Sequence, residues 1–479
     1  MKNSIMKKLL FFSLLLFLFS CDKKGSGDAE IVILCTNDIH GNIDNFPKLS
    51  AYYKQLKTEN PNTYLFSNGD MFSGNPLIDQ YPEPGYPMID LMNKTGFVVS
   101  SLGNHEFDYG QKTLNERIKQ ADFPFICANI NYTNGILKPL DPFKLFDING
   151  VSVAVLSLVE VGSGGTPSTH PDRVKGLTFE KPINTVGKHI TRLRINDVLI
   201  LLSHVGVERD IDIAEKYPAI DLILGGHSHT KIDTGMVKNG VLITQAGSHL
   251  KFVSETHISV KDGNVTNISN KLVNLSELKD EDAEIKNLIA YYKEKDPGKR
   301  IIGNTTEQIT GKQKLGALMT DAITEILDLD IAVQNAGGVR LSYIPKGDIS
   351  INTAFSLDPF GNEVVQINMS YSEIEELLKT QLGRFTLPDL LVSGINYTIN
   401  LDADKKPVSI SLFNTDGTPL DKSKKYSVGM NSYIYSKYKF PHEDPGKSLN
   451  VTSAETLIKY IEKIKTVNYS DIPDRITIQ

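Results

Sequence analysis

Five apolar runs in the first half of the chain each end on side chains capable of chemistry. Ile31-Val32-Ile33-Leu34 leads into Thr36-Asn37-Asp38-Ile39-His40-Gly41, and Thr63-Tyr64-Leu65-Phe66 into Ser67-Asn68-Gly69-Asp70. Phe97-Val98-Val99-Ser100-Ser101-Leu102 leads into Gly103-Asn104-His105-Glu106-Phe107-Asp108. Asp197-Val198-Leu199-Ile200-Leu201-Leu202 ends at Ser203-His204, and Asp221-Leu222-Ile223-Leu224 at Gly225-Gly226-His227-Ser228-His229. Short continuous apolar runs bounded by turn residues predict strands buried on both faces. Open sheets bind ligands outside the carboxyl ends of their strands, so the pattern predicts that these Asp, Asn and His side chains converge. Glycines beside them allow sharp turns and close backbone approach.

Between the first two strands a helical pattern covers about Phe46 to Lys57. Beyond Val273 the chain turns charged and helical from Glu277 to Lys295 and breaks at Asp296-Pro297-Gly298, which predicts a linker helix between two domains. The pattern restarts at Ile301, with a helix over about Leu315 to Leu327 and strands near Asp330–Gln334, Val364–Met369, Ser393–Asn400 and Tyr426–Met430. Metal-type residues are not clustered in this second half, so it is expected to recognise rather than react.

Composition narrows the class. The chain has 479 residues, too many for one core, with 40% hydrophobic and 23% charged residues as in ordinary globular proteins. A formal net charge of -6 provides no basic stripe for a nucleic-acid polymer. At the N-terminus, Lys2, Lys7 and Lys8 precede the apolar stretch Leu9–Phe19, too short to span a bilayer by itself. Leu18-Phe19-Ser20-Cys21 resembles a bacterial lipoprotein signal, with Cys21 the lipidated residue and residues 21–29 a polar tether. The expected location is therefore outside the cytoplasm, anchored to a membrane and facing the periplasm or cell surface. Cys35 and Cys127 lie in apolar runs without CxxC spacing and are expected to be buried thiols.

The His, Asp and Asn set offers nitrogen and oxygen donors without thiolate, a donor set suited to Zn, Mn, Co or a similar divalent ion. His105 stands apart because Asp108 follows three residues later, and a carboxylate on one ring nitrogen leaves the other free for substrate. His170, His189, His249 and His257 are expected at turns or on the surface. The Gly162–Gly165 cluster is expected to form a loop over the site.

Taken together, TNDIHG, NGD, GNHEFD, SHVG and GGHSHT resemble the calcineurin-type metallophosphoesterases, and within them the exported 5′-nucleotidase and UDP-sugar hydrolase family; the similarity extends from about Glu30 to the C-terminus. The resemblance implies an α/β fold: a four-layer αββα sandwich at residues 30–275, a linker helix at 276–300 and a mixed α/β substrate-recognition domain at 301–479, after a signal peptide at 1–20. It implies two divalent ions, one held by Asp38, His40 and His229, the other by Asn104, His204 and His227, with Asp70 bridging. It makes His105 and Asp108 a catalytic dyad. In the second half it implies substrate binding by Asn335, Gly338 and Arg340 of Asn335-Ala336-Gly337-Gly338-Val339-Arg340, by Phe360 of Pro359-Phe360-Gly361-Asn362, and by Tyr433 on the opposite face of a base.

Two stretches depart from the family pattern. Thr310-Gly311-Lys312-Gln313-Lys314 carries lysines where family members usually place an arginine, and Lys cannot reproduce a bidentate fork. Ser436-Lys437-Tyr438-Lys439-Phe440 replaces a Gly-Gly-Asp-Gly loop and supplies no acid for a ribose hydroxyl. The favoured reaction is hydrolysis of 5′-nucleotides to nucleoside and phosphate. Its rivals are the same centre acting on UDP-sugars, cyclic nucleotides or non-nucleotide phosphates, and a surface lipoprotein that binds ligands with little catalysis.

Overall fold

The computed structural model describes residues 27–479 apart from 163, 381 and 383–388. The expected signal peptide, the expected lipidation residue Cys21 and most of the expected tether lie outside the described residues. Among the described residues no helix is long and apolar enough to cross a membrane.

Two six-stranded sheets organise the first half. The first runs in the order Asn264–Asn274, Phe252–Lys261, Ala29–Thr36, Thr63–Asn68, Phe97–Ser101, Phe125–Ile126. The second runs Met236–Lys238, Val241–Thr244, Leu222–Gly225, Val198–His204, Val151–Val159, Phe143–Ile148. The continuous apolar runs acquire their meaning here, because both faces of each sheet are covered. Ile31, Ile33 and Cys35 point between the sheets, where they meet Val153, Val155, Ile200 and Leu222. Leu34 points the other way, into a layer built by helices Phe46–Glu59, Tyr86–Thr95, Gly110–Gln120 and Ala283–Glu294. In the second sheet Leu199, Leu201 and Ile223 face helices Pro182–Leu193 and Val207–Lys216. The result is the αββα sandwich expected. Cys35 and Cys127 are buried free thiols in different layers of it, and burial pushes the Cys127 thiol up to about 12.

The helix expected over 277–295 is Ala283–Glu294, begun where the Asp282 side chain accepts from the Glu284 N–H. It packs on the first half through Ile285, Ile289 and Tyr292 rather than spanning free space. The second half is built on a five-stranded sheet in the order Leu390–Ser393, Ile331–Asn335, Lys425–Asn431, Glu363–Ser370, Lys447–Thr452, flanked by helices Lys312–Leu327 and Ser453–Ile464. The strand expected over 393–400 is two. Gly394 has a φ of 81°, and a Cβ there would sit 1.9 Å from the Asp330 carbonyl oxygen, so the chain turns at it. Leu390–Ser393 stays in the five-stranded sheet while Ile395–Leu401 joins Pro407–Asn414 and Ile476–Ile478 in another.

Candidate active site

All five expected strands deliver their polar ends to one place. Asp38, His40, Asp70, His227 and His229 have φ between 49° and 73°, a left-handed conformation that non-glycine residues rarely adopt. Such strain, about 1–3 kcal/mol per residue, persists only where surrounding contacts over-determine it. Those contacts are present: the Asp38 N–H donates to the Gly69 carbonyl at 3.1 Å and the His40 N–H to the Asp70 carbonyl at 2.9 Å. Glu106, fully buried, accepts from the N–H groups of Asp70 and Met71, both at 2.8 Å, and from that of Gly103. Gly103 is required, since a Cβ there would lie 2.2 Å from Asp70 Oδ1.

Donor atoms gather in three overlapping groups: Asp38, His40 and His229; Asp70, His204 and His227; and His40, Asp70 and His105. Whether they suit cations is decided by their hydrogen bonds. His204 Nδ1 lies 2.7 Å from the Asn68 carbonyl oxygen, which fixes its proton on Nδ1 and turns the Nε2 lone pair toward Asp70 Oδ2, 3.0 Å away. Nε2 is buried and has no hydrogen-bond partner. His40 repeats the arrangement, with Nδ1 3.1 Å from the Ser73 carbonyl and Nε2 3.0 Å from His229 Nε2. Lone pairs facing a carboxylate and one another are repulsive unless positive charge lies between them. Asn104 completes the ring: its Nδ2 donates to the Ser168 carbonyl at 3.2 Å, and its Oδ1 is 2.9 Å from His227 Nδ1. The donor set therefore fits divalent cations, with Asp70 shared between groups.

His105 is held differently. Its Nδ1 is 2.6 Å from Asp108 Oδ2, which leaves Nε2 available. Burial lowers its pKa, but the Asp108 and Asp70 carboxylates outweigh burial and bring it to about 9. Its ring lies 6.0 Å from that of Phe360, nearly parallel, and the Arg340 guanidinium sits 5.5 Å from the Phe360 ring centroid. Residues from the two halves thus share one cavity of about 1180 Å³. Asp70, Asn104, His105, Asp108, His227 and His229 line one wall, with Asn335, Gly338, Arg340, Phe360 and Tyr433 on the other. Asp38, His40 and His204 lie behind the first wall, fully or almost fully buried.

Some expectations need correction. His249 lies in a turn, as expected, but that turn folds against the site: its ring is 5.5 Å from that of His40, and its N–H donates to the Asp38 carbonyl at 2.7 Å. His170 lines the cavity. An acid does approach the altered 436–440 stretch, because Asp389 accepts from the Tyr438 hydroxyl and its carbonyl accepts from the Ala336 N–H at 2.6 Å. Sequence reading assigned no role to Glu106, Ser73, Thr169 or Asn431. Asn431 Nδ2 donates to Asn335 Oδ1 at 3.0 Å and to Gln334 Oε1 at 2.9 Å, holding the Asn335 motif in place.

Residues 31–231 match the calcineurin-like phosphoesterase family and residues 293–441 the 5′-nucleotidase C-terminal domain. The chain is 26% identical over 513 residues to the trifunctional nucleotide phosphoesterase YfkN of Bacillus subtilis, covering 92% of this chain but 34% of that protein. It is 28% identical to UshA of Yersinia enterocolitica over 91% of both chains. Among solved structures, a 5′-nucleotidase precursor from Thermus thermophilus shares the fold at a TM-score of 0.79 and 23% identity, covering 94% of this chain and 99% of that one.

Proposed function

We propose that the chain, whose two halves match the calcineurin-like phosphoesterases and the 5′-nucleotidase C-terminal domain, hydrolyses 5′-nucleotides to nucleoside and phosphate outside the cytoplasm, anchored through Cys21. The observation that carries this reading is the cavity shared by the two halves, with His105, Asp108 and the metal-type donors on one wall and Arg340, Phe360 and Tyr433 on the other.

Asp38, His40 and His229 would hold one divalent ion, Asn104, His204 and His227 a second, and Asp70 both. Two such ions, when bound, supply charge neutralisation for the phosphoryl oxygens and an activated water. The remaining work falls to side chains. Arg340 presents a planar donor fork to an anionic oxygen. Asp108 holds the His105 ring so that Nε2 meets the leaving oxygen and donates a proton to it. Phe360 and Tyr433 offer aromatic faces to the base, and the Asn335 amide, steadied by Asn431, a polar contact.

The cavity is larger than a mononucleotide requires, and the 436–440 stretch is altered. A second reading therefore keeps the same centre and admits larger or different phosphate esters; the similarity to YfkN, a trifunctional nucleotide phosphoesterase, favours it. The test strips the protein with chelator, reloads it with Mn, Zn or Co, and follows phosphate release from 5′-nucleotides, UDP-sugars, cyclic nucleotides and aryl phosphates. Metal-dependent release favouring 5′-nucleotides supports the first reading. Activity confined to the other esters transfers the assignment to the second, and no metal-dependent release from any ester overturns both.

A further inference from the structure

Asp108 is bound more tightly than a dyad alone requires. Its Oδ2 meets His105 at 2.6 Å and accepts from Ser73 Oγ at 2.7 Å, while Oδ1 accepts from Thr169 Oγ1 at 2.8 Å. Thr169 is buried, and without its hydroxyl Oδ1 would lose that fixed donor. The carboxylate plane would then be free to rotate, and with it the imidazole it orients. Thr169 belongs to a short segment, Thr166-Pro167-Ser168-Thr169, tightened by a hydrogen bond from the Thr169 N–H to the Pro167 carbonyl at 2.8 Å. The Ser168 carbonyl in that segment fixes the Asn104 amide, and the Ser168 N–H donates to Glu160 at 2.9 Å. At the other end, Lys437 of the second half donates from Nζ to Thr166 Oγ1 at 3.1 Å. Lys437 lies in the stretch where this chain departs from its family.

We propose that Thr166–Thr169 is a relay through which the seating of the second half orders the dyad, with Lys437 and Thr169 as positioning residues at its two ends. The inference rests on the phosphoesterase reading above. Four residues separate a cross-half contact from the catalytic carboxylate, and each link is a hydrogen bond or a covalent bond. Loss of Lys437 releases one end of the segment, and loss of the Thr169 hydroxyl disconnects the other. Once the Thr169 end is cut, the state of Lys437 no longer reaches Asp108.

The experiment uses the metal-reconstituted protein and measures kcat, KM and bound metal for Thr169→Val, Thr169→Ser, Lys437→Met and the Lys437→Met/Thr169→Val double variant. Thr169→Val is expected to lower kcat about ten- to a hundredfold, the range for partners that orient functional groups, with metal content and KM nearly unchanged. Thr169→Ser restores most of the loss. Lys437→Met lowers kcat less, and the double variant is no slower than Thr169→Val alone, because both act along one path. Effects that multiply in the double variant, a Lys437→Met effect confined to KM, or a Thr169→Ser as slow as Thr169→Val overturns the relay. A wild-type protein inert toward every phosphate ester overturns the underlying reading instead. An active wild type with an equally active Thr169→Val overturns the relay alone.

Discussion

The two walls of the cavity are built by opposite rules. On and behind the first, Asp38, His40, Asp70, His227 and His229 are held in left-handed conformations, and Asp38, His40, Asp70 and His204 are buried. On the second, Arg340 is exposed, Phe360 and Tyr433 are half-buried, and none of the three departs from ordinary backbone conformation. Strain and burial concentrate where atoms must be fixed within fractions of an ångström for reaction, and are relaxed where a substrate has only to be received. The difference teaches that fidelity of geometry is spent on one wall while adaptability is left to the other.

The largest expected effect sharpens that contrast on the first wall alone. Asp70→Asn removes the charge shared by the donor groups, and turnover should fall about a thousandfold or more, with bound metal dropping in parallel. His105→Ala should cost about 10²- to 10⁴-fold in kcat while bound metal is retained, since Asp108 rather than a cation occupies its Nδ1. Metal analysis beside steady-state rates separates the two, and loss of metal in His105→Ala would make that residue a ligand.

The second wall should respond in a different currency. Phe360→Ala removes a ring that packs near both His105 and Arg340, and base–aromatic stacking is worth about 1–3 kcal/mol. KM for nucleotides should rise about five- to a hundredfold, with turnover of a small aryl phosphate changed far less. Equal losses on both substrates would break the division between reacting and receiving walls, and would mean that Phe360 serves the dyad it touches.

The contrast also explains what could be read from the sequence. The reacting wall was legible because its residue types are chemically specific and each follows a strand that ends at the same sheet edge; Asp38, Asp70 and His204 needed no knowledge of distant contacts. Ser73 and Thr169 were not legible, because they meet Asp108 across 35 and 61 residues and carry hydroxyls that any turn could hold. Glu106 was visible inside its motif, but its role, three backbone N–H groups from two separate loops, exists only after folding. His249 was expected at a turn or on the surface, and nothing in Ser248-His249-Leu250 tells that its turn brings the ring beside His40. On the second wall, Arg340 and Phe360 were legible through resemblance, whereas Asp389 reaches Tyr438 only because the five-stranded sheet places Leu390–Ser393 beside Ile331–Asn335.

The smallest expected effect on catalysis comes from a pair that holds the second half together without facing the cavity. Asp321 accepts both guanidinium nitrogens of Arg475 at 2.7 Å and the Tyr469 hydroxyl at 2.7 Å, tying helix Lys312–Leu327 to the C-terminal segment. Burial tends to raise the Asp321 pKa, but the bonds from Arg475, Ser393 and Tyr469 outweigh it and hold the carboxyl below its ordinary value. A carboxylate depressed in the folded state contributes stability that is fully present above the unfolded pKa of about 4 and is lost as pH falls through the folded value. Asp321→Asn turns an amide N–H toward the guanidinium and should cost about 2 kcal/mol at pH 7, in the range for hydrogen bonds to charged groups. Denaturation followed at pH 7 and again near pH 3 should show the gap between wild type and variant shrinking toward the acid end, while kcat at pH 7 stays within about twofold. A gap that stays constant with pH would assign the loss to packing rather than charge. A large fall in kcat would show that order within the second half is transmitted to the reacting wall.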